Sequence, residues 1–429
     1  MTDSIRPALA ERPRSTLDLG RFPLTLGLAG LACALTPAYV IRWRVAFYPT
    51  TLLEVAIVAT VLAFAFESWR LRAMPVWRTP ITYPAILFVL AGAISVVASP
   101  DHRAALGIYR AYVLEPVAFG LVLINVLDSF QRARVVLAGL GVAGMVVGIA
   151  NSAVILNALR HHQVSPGVTG PVTIYMNAND IPLFLVPLIA VAAAIALHAQ
   201  DRRLRSACVV FLVVTVASVL LSFSRGGYLA LAAVAFGLAL SHRYRWRLVG
   251  AAAAAGIAIA LIPPIRHRLA VELDFSNPQN TLVGRFELWR VSLQMLRDHI
   301  PFGAGLSGFA QTIAPYWNPT HTDRFIYPHN IVLTFWSETG ILGLAAFAWL
   351  MFVGFQVSWR GWRRPALEWG PLELGVLLAL VAVVVHGLVD VPYFKNDLAL
   401  TFWVLIGLAV AGSTIHRPSP QRDPVRSSL

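Results

Sequence analysis

Residues 327–340 read YPHNIVLTFWSETG, and this stretch carries a histidine from a polar loop to the start of an apolar helix. Pro328 ends the loop, and the following residues are expected to wind into a helix that begins near a membrane surface, with His329 near its first turn. Further along, Glu338 lies in apolar sequence just before Gly340, and a carboxylate at that depth needs a partner. A helix break at the glycine should therefore be buried in protein or face a wet cavity.

The composition around this stretch is that of a polytopic membrane protein. Of the 429 residues, 57% are hydrophobic and 13% are charged, and the mean hydropathy is +0.68, far from the values of soluble domains. Apolar runs long enough to cross a bilayer predict about twelve transmembrane helices. These runs lie at 22–41, 50–68, 81–98, 105–127, 134–156, 178–199, 206–222, 226–241, 248–265, 335–358, 371–390 and 398–413.

The predicted fold is therefore all-α, with one long extracytoplasmic loop that contains short amphipathic helices. Within that loop, apolar residues recur at spacings of three and four between Thr281 and Leu296, which indicates a helix on the membrane surface or over a cavity. The predicted segments are a cytoplasmic tail at 1–21, spans 1–9 at 22–265, the periplasmic loop at 266–328, spans 10–12 at 329–413, and a second tail at 414–429.

Charge sets the predicted orientation. The net charge is +13, but the chain has one lysine, Lys395, and its 33 arginines are scattered between apolar runs, which argues against a nucleic-acid partner. With both termini in the cytoplasm, every inner segment is basic, as the positive-inside rule expects. Cys33 and Cys208 lie in apolar runs and offer neither a disulfide framework nor zinc-ligand spacing.

Several polar residues in or beside the predicted spans are candidates for function. Arg110 lies within an apolar run and needs a partner, which is Glu115, a carboxylate of another span, or an anionic ligand. Glu338 is expected to neutralise an arginine such as Arg110. Asn179 and Asp180 open a span and suit helix capping.

Two further arginines suit an anion. Arg225 stands at the apex of a short outer turn, SFSRGGY at 222–228, where glycine supplies the turn conformation, so the arginine is either a headgroup contact or a phosphate ligand. Arg285 falls in the predicted first turn of a helix, where the macrodipole disfavours a cation unless an anion binds there. His386 and Asp390 are spaced to pair on one helix face.

Taken together, these motifs resemble the O-antigen ligase and O-antigen polymerase superfamily of bacterial membrane glycosyltransferases. The resemblance covers roughly residues 165–400. In chain order it rests on N-A-N at 177–179, S-R-G at 224–226, R-x3-W at 285–289, P-x-G-x-G at 301–305, P-H-N at 328–330, E-x-G at 338–340 and H-x3-D at 386–390.

The resemblance implies transfer of a glycan from an undecaprenyl-pyrophosphate carrier to an acceptor hydroxyl on the outer face of the inner membrane, without a metal or other cofactor. Arg225 and Arg285 would bind the pyrophosphate, and His329 would be the catalytic imidazole. Arg110, Asn179 and Glu338 are further candidates for substrate binding. A single displacement would invert the anomeric centre.

Three alternatives remain at this stage. A ligase and a polymerase share the chemistry and differ in acceptor, which is the lipid A core for the first and a lipid-linked glycan for the second. A transporter would use Arg110, Glu115, Glu338 and Asp390 as a relay, but the two halves of the chain show no internal repeat. A scaffold without chemistry is the third.

Overall fold

The computed structural model describes residues 21–46, 48–163, 172–277, 280–317, 325–364 and 369–415. Nearly all of the two predicted tails lies outside these residues. The described part is mostly helical. Its α-helices are α1 Pro23–Ala34, α2 Leu52–Leu71, α3 Thr82–Ala98, α4 His102–Ile108, α5 Glu115–Val126, α6 Phe130–Arg160, α7 Asp180–His198, α8 Arg202–Leu221, α9 Arg225–Ser241, α10 Arg245–Ala260, α11 Pro263–Leu273, α12 Thr281–Asp298, α13 Phe309–Thr312, α14 Ile331–Arg363, α15 Trp369–Gly387 and α16 Asn396–Ile415.

Eight helices of the described chain are long and apolar enough to cross a membrane, or nine if the bent pair α10–α11 is one span. One of the eight, His102–Val126, joins α4 and α5 through a π-helical segment at Tyr109–Leu114. Three shorter apolar helices, α1, α3 and α9, also coincide with predicted spans. The chain is an integral membrane protein, while the count of about twelve spans and the exposure of the long loop stay predictions.

A β-hairpin makes the all-α prediction wrong in one place. Strand β1, Arg42–Val45, pairs antiparallel with β2, Tyr48–Thr51. The run predicted as the first span therefore ends early, because α1 stops at Ala34 and a short 3₁₀ helix precedes the hairpin. Thr51 then forms a capping box with Glu54, so the second strand leads directly into α2.

The bundle has enclosed helices and peripheral ones. In α16, 94% of the apolar window is buried, against 22% in α8, so α16 runs through the middle of the bundle and α8 along its edge. Where helices approach closely, glycine makes room: a Cβ on Gly120 would stand 2.9 Å from the Trp403 ring. Such contacts are typical of membrane helices, which have little hydrophobic drive to associate.

Helix α14 is broken at Gly340, which has φ +67° and would place any Cβ against the backbone of Phe302. The break is buried in protein, which confirms the prediction made from the sequence. The loop after α12 fills it: Ile341 N donates to Pro301 O at 3.2 Å, and Ala304 N donates to Ser337 O at 2.7 Å. The loop thereby satisfies the backbone groups that the break releases.

Candidate active site

His329 lies near the first turn of α14, as predicted, immediately before the capping residue Asn330. Its φ is +51°, a left-handed conformation that is uncommon for a residue with a Cβ and is often found at functional sites. The helix is capped by Asn330, whose side-chain oxygen accepts from Val332 N at 3.0 Å and whose Nδ2 donates to Leu388 O at 3.0 Å. This cap holds the His329 backbone against the chain that follows α15.

Asp390 is the residue on which the site converges. It follows α15, is buried, and accepts a backbone hydrogen bond from Val391. Its Oδ1 lies 3.0 Å from Nδ1 of His329, and its Oδ2 lies 3.6 Å from a terminal nitrogen of Arg285. Burial alone would raise the pKa of Asp390, but the hydrogen bond and charge of His329, followed by other nearby charges, lower it to about 2.

Arg285 reaches this carboxylate from α12. The predicted helix is confirmed, but Arg285 is its fifth residue and not in the first turn. The backbone N–H groups proposed for an anion are already used, because Asn280 accepts from Leu282 N and Val283 N. Burial lowers the pKa of Arg285, and the charge of Asp390 opposes that shift. Arg285 is largely shielded from water and is paired with one carboxylate, so its guanidinium remains able to attract further negative charge.

Arg225 is the first residue of α9, and Ser224 caps that helix by accepting from Gly227 N. The left-handed residue of the preceding turn is Phe223, φ +52°, so the glycines do not serve the turn as predicted. Gly226 instead allows close packing, since a Cβ there would stand 2.8 Å from the ring of His386. The start of α9 therefore lies against the end of α15.

Glu272 of α11 forms an ion pair with Arg225. The carboxylate is buried and also accepts from Leu282 N at 3.1 Å, so it joins the start of α9 to the start of α12. Nothing in the sequence marks Glu272, because its neighbours are charged and apolar residues without a motif. Both arginines predicted to bind pyrophosphate are thus paired with carboxylates of the chain.

The predicted pair between His386 and Asp390 is wrong. Asp390 bonds His329 instead, and within the described chain neither ring nitrogen of His386 has a hydrogen-bond partner. His386 is nevertheless buried next to the site, between Gly226 and the turn that carries Asp390. The structure therefore brings Arg225, Arg285 and His329 together around Glu272, His386 and Asp390.

The predicted pairing of Glu338 with Arg110 is also wrong. Arg110 bonds Glu54 at 2.7 Å and Glu115 at 3.2 Å, which confirms the prediction of Glu115 or a carboxylate of another span. Glu338 is fully buried and accepts from Ser307 N at 2.7 Å, in the loop that fills the α14 break. This contact holds the loop, and the predicted part of Glu338 in substrate binding stays a prediction.

Asn179 stands immediately before α7, where a capping residue is expected, but its side chain makes no capping bond. Its backbone N–H donates to Asn177 at 3.0 Å. The next residue, Asp180, pairs with Lys395 at 2.5 Å, which links the start of α7 to the turn between α15 and α16. Among the described residues, no group of three or more His, Cys, Asp or Glu side chains is placed to hold a metal ion.

The site and fold define an integral membrane protein in which a buried aspartate pairs with a partly exposed histidine, and two arginines pair with carboxylates, at one end of its helices. Residues 209–348 match a family model described as O-Antigen ligase, which confirms the resemblance to that superfamily indicated by the motifs. The match includes Arg225, Arg285 and His329 and ends before Asp390. No curated protein matches the chain.

Proposed function

We propose that the protein is an O-antigen ligase-like glycosyltransferase. It moves a glycan from an undecaprenyl-pyrophosphate carrier to a hydroxyl of the lipid A core or a similar acceptor, at the periplasmic face of the bacterial inner membrane. The observation that carries the proposal is that one buried carboxylate, Asp390, contacts both His329 and Arg285. A proton acceptor and an anion-binding group are thereby held side by side.

His329 acts as general base in this proposal. When Nδ1–H donates to Asp390, the neutral ring carries its lone pair on Nε2, and that atom is available to the acceptor hydroxyl. As the acceptor oxygen bonds to the anomeric carbon, its proton passes to Nε2, and the electron pair of the breaking C–O bond passes to the pyrophosphate. This single displacement inverts the anomeric centre. No step requires a metal ion.

The two arginines stabilise the leaving group. Guanidinium groups match the geometry of phosphate oxygens, and their attraction for the pyrophosphate grows as negative charge develops on it. In the ligand-free chain Glu272 and Asp390 hold these cations, and a bound pyrophosphate competes with both carboxylates. Donor binding therefore weakens the hold of Asp390 on Arg285 while leaving its bond to His329.

The position of the site supports action on the periplasmic side. Helix α9 begins at the site with Arg225 and ends beside the basic stretch 243–247, which the positive-inside rule assigns to the cytoplasm. The start of α14 likewise lies at the site, and Arg360 and Arg363 lie in its last turn. The helices thus carry the site at the ends opposite their arginine-rich ends.

Replacing Arg285 or Arg225 with alanine is expected to lower the transfer rate by about 10²–10³-fold, because each removal takes away a donor to the leaving group. The measurement is the initial rate in reconstituted vesicles with a defined lipid-linked donor, at several donor concentrations. Arg297→Ala, on the exposed last turn of α12, is the control and should retain the full rate. A full rate in Arg285→Ala would remove the proposed anion role of that residue.

Replacing Glu272 with glutamine is expected to tighten donor binding by about fivefold, because the donor no longer has to displace the ion pair between Arg225 and this carboxylate. Glutamine keeps an oxygen that can accept from Leu282 N, so α12 retains its start. The measurement is the inhibition constant of inorganic pyrophosphate in the transfer assay. Glu287→Gln, which breaks the exposed pair with Arg290, is the matched control. Weaker inhibition in Glu272→Gln would mean that Glu272 positions Arg225 and does not compete for it.

A deletion strain identifies the acceptor. If the protein is a ligase, deletion removes all long glycan from the final acceptor, whereas loss of a polymerase leaves the acceptor capped with single repeat units. We expect the first pattern, because the matched family model is described as O-Antigen ligase. If single repeat units cap the acceptor instead, the protein is a polymerase that performs the same chemistry on a lipid-linked acceptor.

A further inference from the structure

A second site lies away from the arginines and histidine. A cavity of about 1000 Å³ opens between α6, α7 and α8, with α16 as its floor. Its walls are apolar side chains and small residues, among them Leu137, Met145, Leu188, Phe211 and Leu408. Arg134 is the one charged side chain among the described residues that line it.

The mouth of the cavity, at Arg134 and Leu204, lies at the end of the bundle opposite the candidate active site, and its wall follows α6 as far as Ala150. Helix α8 enters the cavity at Leu204 and leaves it at Phe211, within its first ten residues. The other end of α8 is Leu221, and Ser224 and Arg225 follow it after two residues. A helix of twenty residues is about 30 Å long, so the start of α8 lies roughly one bilayer thickness from the active-site end. The cavity is therefore not part of the donor pyrophosphate site.

The apolar walls select a hydrocarbon chain as occupant. All four helices that form the cavity are membrane-span candidates, so its opening faces the hydrocarbon region. Water makes almost no hydrogen bonds in such a space. An apolar cavity therefore stays dry or fills with apolar molecules. An acyl chain is the apolar molecule that the surroundings supply.

The positive charge at the mouth of the cavity favours a lipid with an anionic headgroup. Arg134 is partly exposed and pairs only loosely with the half-exposed Asp201, at 3.5 Å. Arg203 is exposed and lies one helical turn before Ala207, a residue of the cavity wall, so it stands above the same face of α8. Arg205 is exposed close by. Arg134 and Arg203 thus lie at the opening, beside one carboxylate, Asp201.

We propose that this cavity binds an anionic glycerophospholipid, with an acyl chain between α6 and α8 and the headgroup phosphate between Arg134 and Arg203. Basic pockets between membrane helices bind anionic headgroups in this way, with each arginine adding to the affinity. The lipid occupies the space left between α6, α7 and α8, and α8 is the least buried of the long apolar helices in the described chain. The proposal does not depend on the transfer reaction.

The headgroup part is tested by native mass spectrometry of the full chain in detergent, with phosphatidylglycerol and phosphatidylcholine added at equal concentration. We expect one tightly bound phosphatidylglycerol, and a loss of affinity of about fivefold per arginine in Arg134→Ala and Arg203→Ala. Arg160→Ala, at the other end of α6, should bind as the parent does. Equal retention of the two lipids, or no effect of either substitution, would overturn the proposal.

The acyl-chain part is tested by filling the cavity. Gly141 lines the wall, and a Cβ added there meets open space, so a phenylalanine side chain would start without a backbone clash and extend into the cavity. Gly141→Phe should abolish the bound phosphatidylglycerol peak, whereas Gly250→Phe, equally open but on α10 outside the cavity, should preserve it. A persistent peak in Gly141→Phe would place the lipid elsewhere and end the proposal.

Discussion

Replacing His329 with alanine is expected to lower glycan transfer by about 10²–10⁴-fold, the usual contribution of a positioned general base. The substitution removes the imidazole and leaves Asp390 paired with Arg285, so the carboxylate keeps a cationic partner and the fold should be retained. Initial rates in reconstituted vesicles with saturating donor measure the effect. Expression level and thermal unfolding of the purified variant check the fold.

His161 provides the matched control for this experiment. It is exposed beyond the end of α6, and His161→Ala should transfer at the parent rate. Adding imidazole to a His329→Gly variant should restore part of the lost rate, since a small base can enter the space left by the side chain. Full activity in His329→Ala would remove the base assignment, whatever the other residues of the site do.

The second large effect is expected for Asp390→Asn, where transfer should fall by up to about 10⁴-fold although the side chain keeps its size. An amide can donate to Nδ1 of His329, which favours the tautomer with its proton on Nε2, and that tautomer cannot accept the proton of the acceptor hydroxyl. Asp390 is a positioning residue in this account, so the donor concentration at half-maximal rate should change less than the maximal rate.

The pH profile separates this role from a structural one. The pKa of Asp390 is about 2, below the ordinary aspartate value, so its ion pairs stabilise the fold above about pH 4 and lose that contribution as the pH falls through about 2. The parent should therefore keep the carboxylate ionised across the assay range. The rate of Asp390→Asn should be low at every pH in that range. Asp298→Asn, which removes the charge of an exposed carboxylate that accepts from Tyr316, serves as control and should transfer normally. Recovery of Asp390→Asn at high pH would contradict the tautomer argument.

The sequence was sufficient to predict a mostly helical membrane protein and to mark Arg225, Arg285 and His329, which the structure brings close together. Apolar runs predict spans because a bilayer requires about twenty apolar residues, and the described helices overlie those runs. Arg225, Arg285 and His329 stand out because charged groups beside apolar helices need a partner or a ligand. The helix break at Gly340 was predictable for the same reason, since Glu338 and Gly340 together do not suit an uninterrupted span.

Pairing across the bundle could not be predicted, because it depends on which helices are neighbours. Arg110 was expected to reach Glu338, but the hairpin after α1 starts α2 beside the π-helical segment and supplies Glu54 instead. Helical spacing predicted that Asp390 pairs with His386. However, α15 ends at Gly387, so Asp390 lies outside the helix and its carboxylate bonds His329. Glu272 lacked any local signal, and its importance comes only from the contact with Arg225.

Two indole groups hold α12 to α14 on either side of the site. Trp289 Nε1 donates to Pro328 O, and Trp336 Nε1 donates to Ile300 O, each at 2.9 Å. The cation of α12 and the imidazole before α14 are consequently kept in register by bonds within one continuous portion of the chain, 281–340. Rearrangements elsewhere among the lipid-embedded helices can thus occur while the spacing between Arg285 and His329 stays intact.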